Sequence, residues 1–286
     1  GYADDTQSSY SSANEDEVIM KLEQGAREML KFMASNFLSA NTKKTGFMLI
    51  RKGQSHPRTV NVGGEIIYEA PHHKVLGLTV NNNLSWDDHV YGKGGVVPSV
   101  KQRIGALKRL SYTIPTKHLP QIANSIITSK VRYCLAIYGK VRITEEEPKS
   151  KMMADLQIVL NKALRIATQV RKIDRVSVRE LCERAGTLTI NRICARDQLQ
   201  LVWKSLHDTN SPLQELFTKE RGSSSMTMRS KARGDLKEYA RTTMGQRNTP
   251  HTVIKLWNKY GPQLRIVQSE SAAKKVMKSS VLQLPM

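Results

Sequence analysis

The sequence predicts an α+β fold, in which a few short antiparallel strands and one helix precede a longer, mostly helical part. Three observations lead to this prediction. Short apolar runs separated by glycine-containing turns dominate the chain before Trp86, whereas apolar residues at helical spacing dominate it afterwards. The composition, 39% hydrophobic but only 6% aromatic, is sufficient for a packed core that is mostly aliphatic.

The first part begins with a predicted β-hairpin over Gly1–Ser9, with Asp4 and Asp5 near its turn. Asn14 is a favourable helix N-cap, and Glu17 three residues later completes the pattern of a capping box. A helix is therefore predicted to follow. Its apolar stripe repeats at the spacing of one helical face and consists of Val18, Leu22, Ala26, Met29 and Met33.

Four short segments before Trp86 are predicted as further strands. They are Gly46–Arg51, Val60–Val62, Glu65–Tyr68 and Lys74–Val80. Gly63 and Gly64 separate the second segment from the third, and a glycine pair at this position predicts a two-residue hairpin turn. We therefore expect one β-hairpin in this part of the chain.

After Trp86 the apolar spacing predicts a series of helices, the first of which carries Val100, Ile104, Leu107 and Leu110 on one face. The further candidates are Pro115–Arg132, Met152–Thr168, Val176–Ala185, Asn191–Asp208, His251–Leu264 and Ser271–Val281. Three glycines and a proline within Gly92–Pro98 predict a break in the helical structure. The segment Thr209–Arg247 is rich in Ser, Thr, Gly and Arg, and is predicted to be a loop or partly disordered.

Charge is the strongest bulk signal. The chain has 45 Lys and Arg against 25 Asp and Glu, a formal net charge of +20. The segment His89–Thr144, called here the acid-free segment, contains ten Lys and Arg and no acid. Such a field attracts polyanions, so nucleic acid is the leading partner. An anionic membrane is disfavoured because no long apolar run is present. A merely basic protein is the alternative.

Asp4 and Asp5 are the residues best suited to metal chemistry. Nucleotidyl transfer uses two divalent metal ions, and Mg²⁺ prefers carboxylate oxygens as ligands. Adjacent aspartates at a tight turn can present such oxygens at the edge of a sheet, and the small Ala3 before them would let a primer end approach. Taken alone, the pair would favour a solvated acidic turn over a metal site.

Several further segments follow the aspartates in a fixed order. They are Tyr2-Ala3-Asp4-Asp5-Thr6, Asn41-Thr42-Lys43-Lys44-Thr45, Val75–Val80 with Leu76-Gly77, Leu84-Ser85-Trp86 with His89, Lys101–Leu110, Leu156–Ile166 and Leu256-Trp257-Asn258 with Leu264-Arg265. This ordered set resembles the reverse transcriptases of non-LTR retrotransposons of the jockey-like and related lineages. The resemblance implies the C-terminal part of a palm, followed by a mostly helical thumb and a C-terminal extension.

The resemblance also implies residue roles. Asp4 and Asp5 match catalytic carboxylates that hold Mg²⁺ in a two-metal site. Lys44 matches a lysine that could stabilise or protonate the leaving pyrophosphate, although a surface lysine is an open alternative. Leu76 and Gly77 match the primer-grip strand and turn, where Gly77 would permit close approach of the backbone; an ordinary strand glycine is equally compatible.

The basic helix of the acid-free segment matches the thumb. Lys101 and Lys108 are seven residues apart and are predicted to share a face away from the apolar stripe. Such a face would hold an RNA–DNA duplex by its backbone; a solvated face is the alternative. The nucleic-acid-binding residues implied by this match are Lys101, Arg103, Lys108 and Arg109.

These matches predict four regions: a palm end over 1–84, a basic thumb over 85–145, a helical extension over 146–210 and a basic, partly disordered region over 211–286. The expected activity is RNA-directed DNA polymerisation, with an RNA template, a DNA primer and dNTP as partners. The palm's other aspartate and the fingers would precede Gly1, so we expect a fragment that is inactive alone. A non-catalytic nucleic-acid-binding protein derived from such an element is the alternative.

The three cysteines, Cys134, Cys182 and Cys194, are far apart and form no CxxC pair. This spacing argues against a zinc finger and against a disulfide framework. With no signal peptide visible, a reducing intracellular location in the nucleus or cytoplasm is expected.

Overall fold

The computed structural model describes residues 5–41, 44–51, 53, 56–208, 210–214, 217, 236 and 249–285. The chain divides into two units, which we call the N-terminal unit (Gly1–Gly92) and the helical unit (Lys93–Met286). The described residues form two antiparallel two-stranded sheets and a larger set of helices. The predicted α+β class is therefore confirmed, while the division into palm, thumb and extension stays a prediction.

The N-terminal unit begins with helix α1, Glu15–Ser35. The Asn14 side chain caps it by accepting a hydrogen bond from the Asp16 N–H at 2.9 Å. Glu17 does not close the expected capping box, because its carboxylate pairs with Lys21 and accepts the Ser12 hydroxyl instead. Hydrogen bonds from Lys21 and Ser12 lower the pKa of Glu17 below its ordinary value. The helix thus starts where the sequence predicts, but a single hydrogen bond from the Asp16 N–H to Asn14 caps it in place of the two bonds of a capping box.

The first hairpin pairs β1 (Thr59–Val62) with β2 (Glu65–Tyr68). Its turn is Gly63-Gly64, with φ angles of 64° and 93°. Two positive φ values define the type I′ turn that matches the twist of paired strands, and glycine adopts them without a steric penalty. The strands and the turn lie where the sequence predicts them.

The second hairpin corrects the prediction of a single strand over Lys74–Val80. Strand β3 (His72–Val75) pairs with β4 (Leu78–Asn81), and the chain reverses at Leu76-Gly77. Both turn residues have positive φ, 47° at Leu76 and 85° at Gly77. The turn type is therefore that of the first hairpin, with a leucine in place of the first glycine.

The predicted strand Gly46–Arg51 is also wrong, because only Phe47 forms an isolated bridge, parallel to Glu69. The Arg51 guanidinium instead bonds Glu15 at 2.9 Å and Glu69 at 3.1 Å, so long-range ion pairs fix this segment. Of the predicted hairpin at the start of the chain, residues 1–4 lie outside the described residues, and residues 6–9 form no strand.

A short helix, α2 (Asp87–Tyr91), completes the N-terminal unit. The Asn81 side-chain amide links β4 to it by donating to the Ser85 hydroxyl at 2.9 Å and to the Asp88 carboxylate at 3.0 Å. The core of this unit is small, and no residue of α1 is buried. Its buried apolar side chains among the described residues are Leu49, Val60, Val62, Leu78 and Val90.

The helical unit begins with α3, Val96–Leu110. Helix α2 ends at Gly92, so the predicted break at the glycines is confirmed. After a 3₁₀ turn at Thr116–His118, the predicted helix up to Arg132 is present in three parts. They are α4 (Leu119–Ala123), a π-helical turn (Asn124–Thr128) and α5 (Ser129–Arg132).

Helix α7, Lys151–Thr168, is central to the helical unit, because α3, α4 and α8 (Val178–Arg184) all pack on it. Its buried residues recur every three or four positions, as expected for one face of a helix. They are Met153, Leu156, Val159, Leu160, Ala163, Leu164 and Ala167. The sequence predicts the bounds of this helix to within one residue.

A second layer surrounds α9, Ile190–His207, which packs with α6 (Leu135–Tyr138), α10 (Thr249–Tyr260) and α12 (Glu270–Val281). The predicted helix His251–Leu264 is interrupted at Gly261, and α11 (Pro262–Arg265) follows. A Cβ on Gly261 would lie 2.4 Å from the Trp257 carbonyl oxygen, so the chain turns there on glycine.

Polar side chains fix the end of the chain to α9. Asn191 donates to the Pro285 carbonyl at 2.9 Å, and Arg192 donates to the Leu282 carbonyl at 2.9 Å.

The predicted loop Thr209–Arg247 lies mostly outside the described residues. None of the described helices combines the length and apolar character that a membrane-crossing helix requires.

Leu76→Asn is expected to stabilise the second hairpin by about 1 kcal/mol, because a left-handed conformation costs an ordinary L-residue about that much and asparagine tolerates it. Hydrogen exchange of the β3 and β4 amides measures the change. Gly64→Ala is the matched control. Its added Cβ meets no atom within 4 Å, so the substitution should destabilise the first hairpin through φ alone. Faster exchange in Leu76→Asn would contradict the strain argument.

Candidate nucleic-acid interface

The net positive charge of the protein resides in the helical unit. Residues 1–92 contain nine Lys and Arg and eleven Asp and Glu, whereas residues 93–286 contain 36 and 14. The formal net charges are therefore −2 and +22, which together give the +20 of the whole chain. A polyanion would therefore be attracted by the helical unit.

Helix α3 presents the predicted basic face. Its inner stripe is buried and consists of Val96, Val97, Val100 and Leu107. Lys101, Lys108 and Arg109 are exposed. Because a residue advances about 100° around a helix, these three cations lie within about one quarter of its circumference, with Arg109 opposite Val100 and the two lysines about 100° from Val100 and Leu107. The acid-free segment thus places a compact cationic face beside the core contact, which we call the α3 face (Lys101, Lys108 and Arg109).

Arg103 does not belong to the α3 face. It lies about 200° around the helix from Lys101, and its guanidinium donates a hydrogen bond to the Ile126 carbonyl at 2.5 Å. Ile126 lies in the π-helical turn, where the regular α-helical hydrogen bonds are interrupted. Arg103, which the sequence match groups with the nucleic-acid-binding residues, is therefore engaged in a contact within the protein.

Two other arginines of the acid-free segment are likewise engaged. Arg132 forms a two-point pair with Asp197, with nitrogen–oxygen distances of 2.7 and 2.9 Å. Arg142 donates to the Glu147 carbonyl at 2.8 Å. Sequence reasoning missed the contact of Arg132, because Asp197 lies 65 positions away and only the fold brings it to this segment.

The remaining cations of the acid-free segment are not engaged in this way. Within the part of the chain that the structure describes, none of their side chains forms an ion pair or a hydrogen bond. They are Lys93, Lys101, Lys108, Arg109, Lys117, Lys130 and Lys140. Their charges are uncompensated and are available to an external anion.

The predicted catalytic residues are not assembled in the described structure. Asp4 lies outside the described residues, and Asp5 is exposed. Lys44 is exposed, and its N–H donates to the Asn41 carbonyl at 3.0 Å. Among the described residues no group of three His, Cys, Asp or Glu side chains could hold a metal ion. Asp5 offers the hard oxygen ligands that Mg²⁺ prefers, but one carboxylate is insufficient for a two-metal site.

Leu76 and Gly77 are presented together at the tip of the second hairpin. Leu76 is 49% exposed, although its side chain is apolar and its backbone is in a conformation that leucine seldom adopts. A strained residue at an exposed tip is a feature from which a functional contact can be hypothesised. The sequence match to a primer-grip turn is compatible with this geometry.

The cysteines have no part in the site. All three are free thiols, and burial raises the pKa of Cys182 to about 11. Burial raises the pKa of Cys194 as well, and its thiol lies 3.4 Å from the Leu135 carbonyl oxygen. Both thiols therefore stay protonated at neutral pH and act as small core side chains.

Arg103→Gln is expected to destabilise the helical unit by about 1 kcal/mol, because it removes a charge-assisted hydrogen bond from the Ile126 carbonyl. Arg109→Gln changes the same type of residue on the same helix, and we expect its effect on stability to be below about 0.5 kcal/mol. Denaturant unfolding of both variants measures the difference. Equal stability losses would contradict the separation of the two arginines into an internal and an external role.

No family model, no curated protein and no solved structure matches this chain. Roles for its residues consequently rest on the sequence motifs and on the geometry of the α3 face.

Proposed function

We propose that the helical unit binds the sugar–phosphate backbone of an RNA–DNA duplex through the α3 face, as part of an RNA-directed DNA polymerase of the non-LTR retrotransposon type. The observation that carries this proposal is the set of uncompensated cations, Lys101, Lys108 and Arg109, on the outward side of a helix whose inner side is buried. A template RNA and a primer DNA are the proposed partners.

The spacing of the lysines suits a phosphate backbone. Lys101 and Lys108 are seven residues apart, which is about 10 Å along the helix axis at 1.5 Å per residue. Successive phosphates of one strand advance about 3.4 Å along a duplex, so the two ammonium groups span about three phosphate steps. Lysine acts as a mobile point charge and does not read base edges, so the proposed contact is independent of sequence.

The N-terminal unit has the proposed catalytic role. Asp4 and Asp5 would hold Mg²⁺, which when bound polarises phosphate oxygens and activates the primer hydroxyl. Lys44 would stabilise the charge that develops on the leaving pyrophosphate. The tip formed by Leu76 and Gly77 would contact the primer, with Gly77 allowing the backbone to approach closely. These four roles rest on the motif matches and on the exposure of Asp5, Lys44 and the hairpin tip.

A non-catalytic nucleic-acid-binding protein is the second candidate. It needs the α3 face and none of the carboxylates, so the same geometry supports it. The two candidates differ in what Asp4 does: in the first it is required for nucleotide incorporation, and in the second it has no effect on any reaction.

Replacing Lys101 and Lys108 together by glutamine is expected to weaken binding to an RNA–DNA duplex by roughly tenfold near 0.1 M salt. The slope of log Kd against log salt should fall by about 2, because two phosphate contacts and their released counterions are lost. Fluorescence anisotropy of a labelled duplex over a salt series measures both quantities.

Lys275→Gln with Lys278→Gln is the matched control. These lysines are exposed on α12 of the same unit and have no ion pair among the described residues. The control changes the net charge equally, so the two double variants separate a local contact from a general field. If both lower the affinity equally, the α3 face is not the binding site.

Asp4→Ala is expected to abolish Mg²⁺-dependent primer extension in any polypeptide that combines this sequence with a third palm carboxylate. Removal of a metal ligand from a two-metal site eliminates the activation of the primer hydroxyl, whereas duplex binding by the α3 face should be unchanged. Extension of a DNA primer on an RNA template and duplex affinity are measured in parallel. Undiminished extension by Asp4→Ala would refute the catalytic assignment.

A further inference from the structure

The end of α3 and the turn after it form a second feature, which we call the α3 tip (residues 108–118) and which shares Lys108 and Arg109 with the α3 face. Tyr112 is 77% exposed there. Lys108, Arg109 and Lys117 are exposed in the same segment, and none of them pairs with a described carboxylate. An exposed aromatic ring among uncompensated cations is the combination that binds single-stranded nucleic acid, because bases stack on the ring and phosphates contact the cations.

The backbone of the α3 tip is held in place on both sides of Tyr112. The Tyr112 N–H donates to the Arg109 carbonyl at 3.3 Å, and the Ile114 N–H donates to the Leu110 carbonyl at 2.9 Å. On the other side, the His118 N–H donates to the Pro115 carbonyl at 3.0 Å. An ordered backbone need not be fixed when a base binds, so part of the conformational entropy cost of binding is avoided.

A groove of about 610 Å³ lies beyond the tip and shares Lys117 with it. Asn124, Ser125 and Arg184 also line this groove. The groove is shallow and open to solvent, so a nucleic-acid backbone could pass along it. Arg184 bonds Glu180 at 2.6 Å, which leaves Lys117 as the lining cation without a partner among the described residues.

We propose that the α3 tip binds single-stranded nucleic acid adjacent to the duplex, with an unpaired base stacked on Tyr112 and the backbone passing Lys117 toward the groove. This inference rests on the proposed function, because it assumes that the α3 face holds the neighbouring duplex. It adds a different chemistry: a stacking face requires a base that is free of its complementary strand, whereas the α3 face contacts only backbone phosphates.

Tyr112 differs from another exposed tyrosine of the chain in its charged surroundings and not in its exposure. Tyr68 is 74% exposed on β2, almost as much as Tyr112. Tyr68 belongs to the N-terminal unit, whose formal net charge is −2, whereas Tyr112 belongs to the helical unit, whose formal net charge is +22. An anionic strand is therefore not attracted to Tyr68 as it is to Tyr112. Tyr68 is consequently a matched control, equal in exposure and opposite in charge environment.

The test compares a blunt RNA–DNA duplex with the same duplex carrying a single-stranded overhang of about six nucleotides, within the usual site sizes for such binding. In the unaltered protein the overhang is expected to improve Kd by about tenfold, because stacking of one base contributes enough for such a factor. Tyr112→Ala should remove most of this gain, whereas Tyr112→Phe and Tyr68→Ala should retain it. The fluorescence of a 2-aminopurine placed in the overhang should be quenched when the unaltered protein binds, because the base stacks on Tyr112. This quenching should be absent with Tyr112→Ala.

The two proposals fail in different ways. If the blunt duplex does not bind, the proposed function fails. If the blunt duplex binds but the overhang adds nothing, or Tyr112→Ala retains the gain, only the tip proposal is overturned. An acidic peptide is the other ligand that cations and a tyrosine could attract. Polyglutamate and a single-stranded oligonucleotide of equal charge are therefore compared as competitors of the overhang. Equal displacement by the two would also overturn the stacking assignment.

Discussion

The burial of the inner stripe of α3 against the helical unit, where α3 packs on α7, is the interaction on which the proposed interface depends. Each of the four buried side chains of that stripe contributes about 1.5–3 kcal/mol at most. The burial fixes the rotation of the helix about its own axis, and this rotation directs Lys101 and Lys108 outward. The same burial must offset the mutual repulsion of cations that have no acid partner. Bound nucleic acid would relieve that repulsion and stabilise the folded state by mass action.

Apart from Arg109, which is exposed on the α3 face, arginine and lysine have separate uses in the acid-free segment. Arg103, Arg132 and Arg142 donate to fixed carbonyl or carboxylate oxygens, for which the planar guanidinium is suited. The lysines have mobile side chains, and their ammonium groups remain in solvent. A surface that must follow the backbone of a duplex without reading its sequence benefits from such mobile charges. Arg103 joins α3 to the π-helical turn, and Arg132 joins α5 to α9. Positioning of the helices and binding are therefore assigned to different residues.

Much of the fold follows from local sequence signals, and the errors have a common cause. Apolar spacing places α7, α9 and α12 almost to the residue, and Gly63-Gly64 marks its hairpin because glycine pairs favour that turn. The turn at Leu76 is missed because leucine seldom occupies such a position. The internal roles of Arg103 and Arg132 are missed because each needs a distant partner that only the fold supplies. The outward face of α3 is predictable, since it depends only on helical geometry; the catalytic hairpin stays a prediction.

The N-terminal unit relies on charge pairing to a degree that the helical unit does not. It buries few apolar side chains, and Phe32 of α1 is 62% exposed. Arg51 joins Glu15 at the start of α1 to Glu69, whose side chain is only 8% exposed. Salt screens exposed pairs but screens a buried carboxylate much less, so the contact of Arg51 with Glu69 should outlast the contact with Glu15 as ionic strength rises. Salt therefore acts on both units, weakening the α1 contacts of one and the phosphate contacts of the other. The Lys101/Lys108 and Lys275/Lys278 double variants both change only the helical unit. A difference between their slopes of log Kd against log salt therefore reports the phosphate contacts and not the loosening of α1.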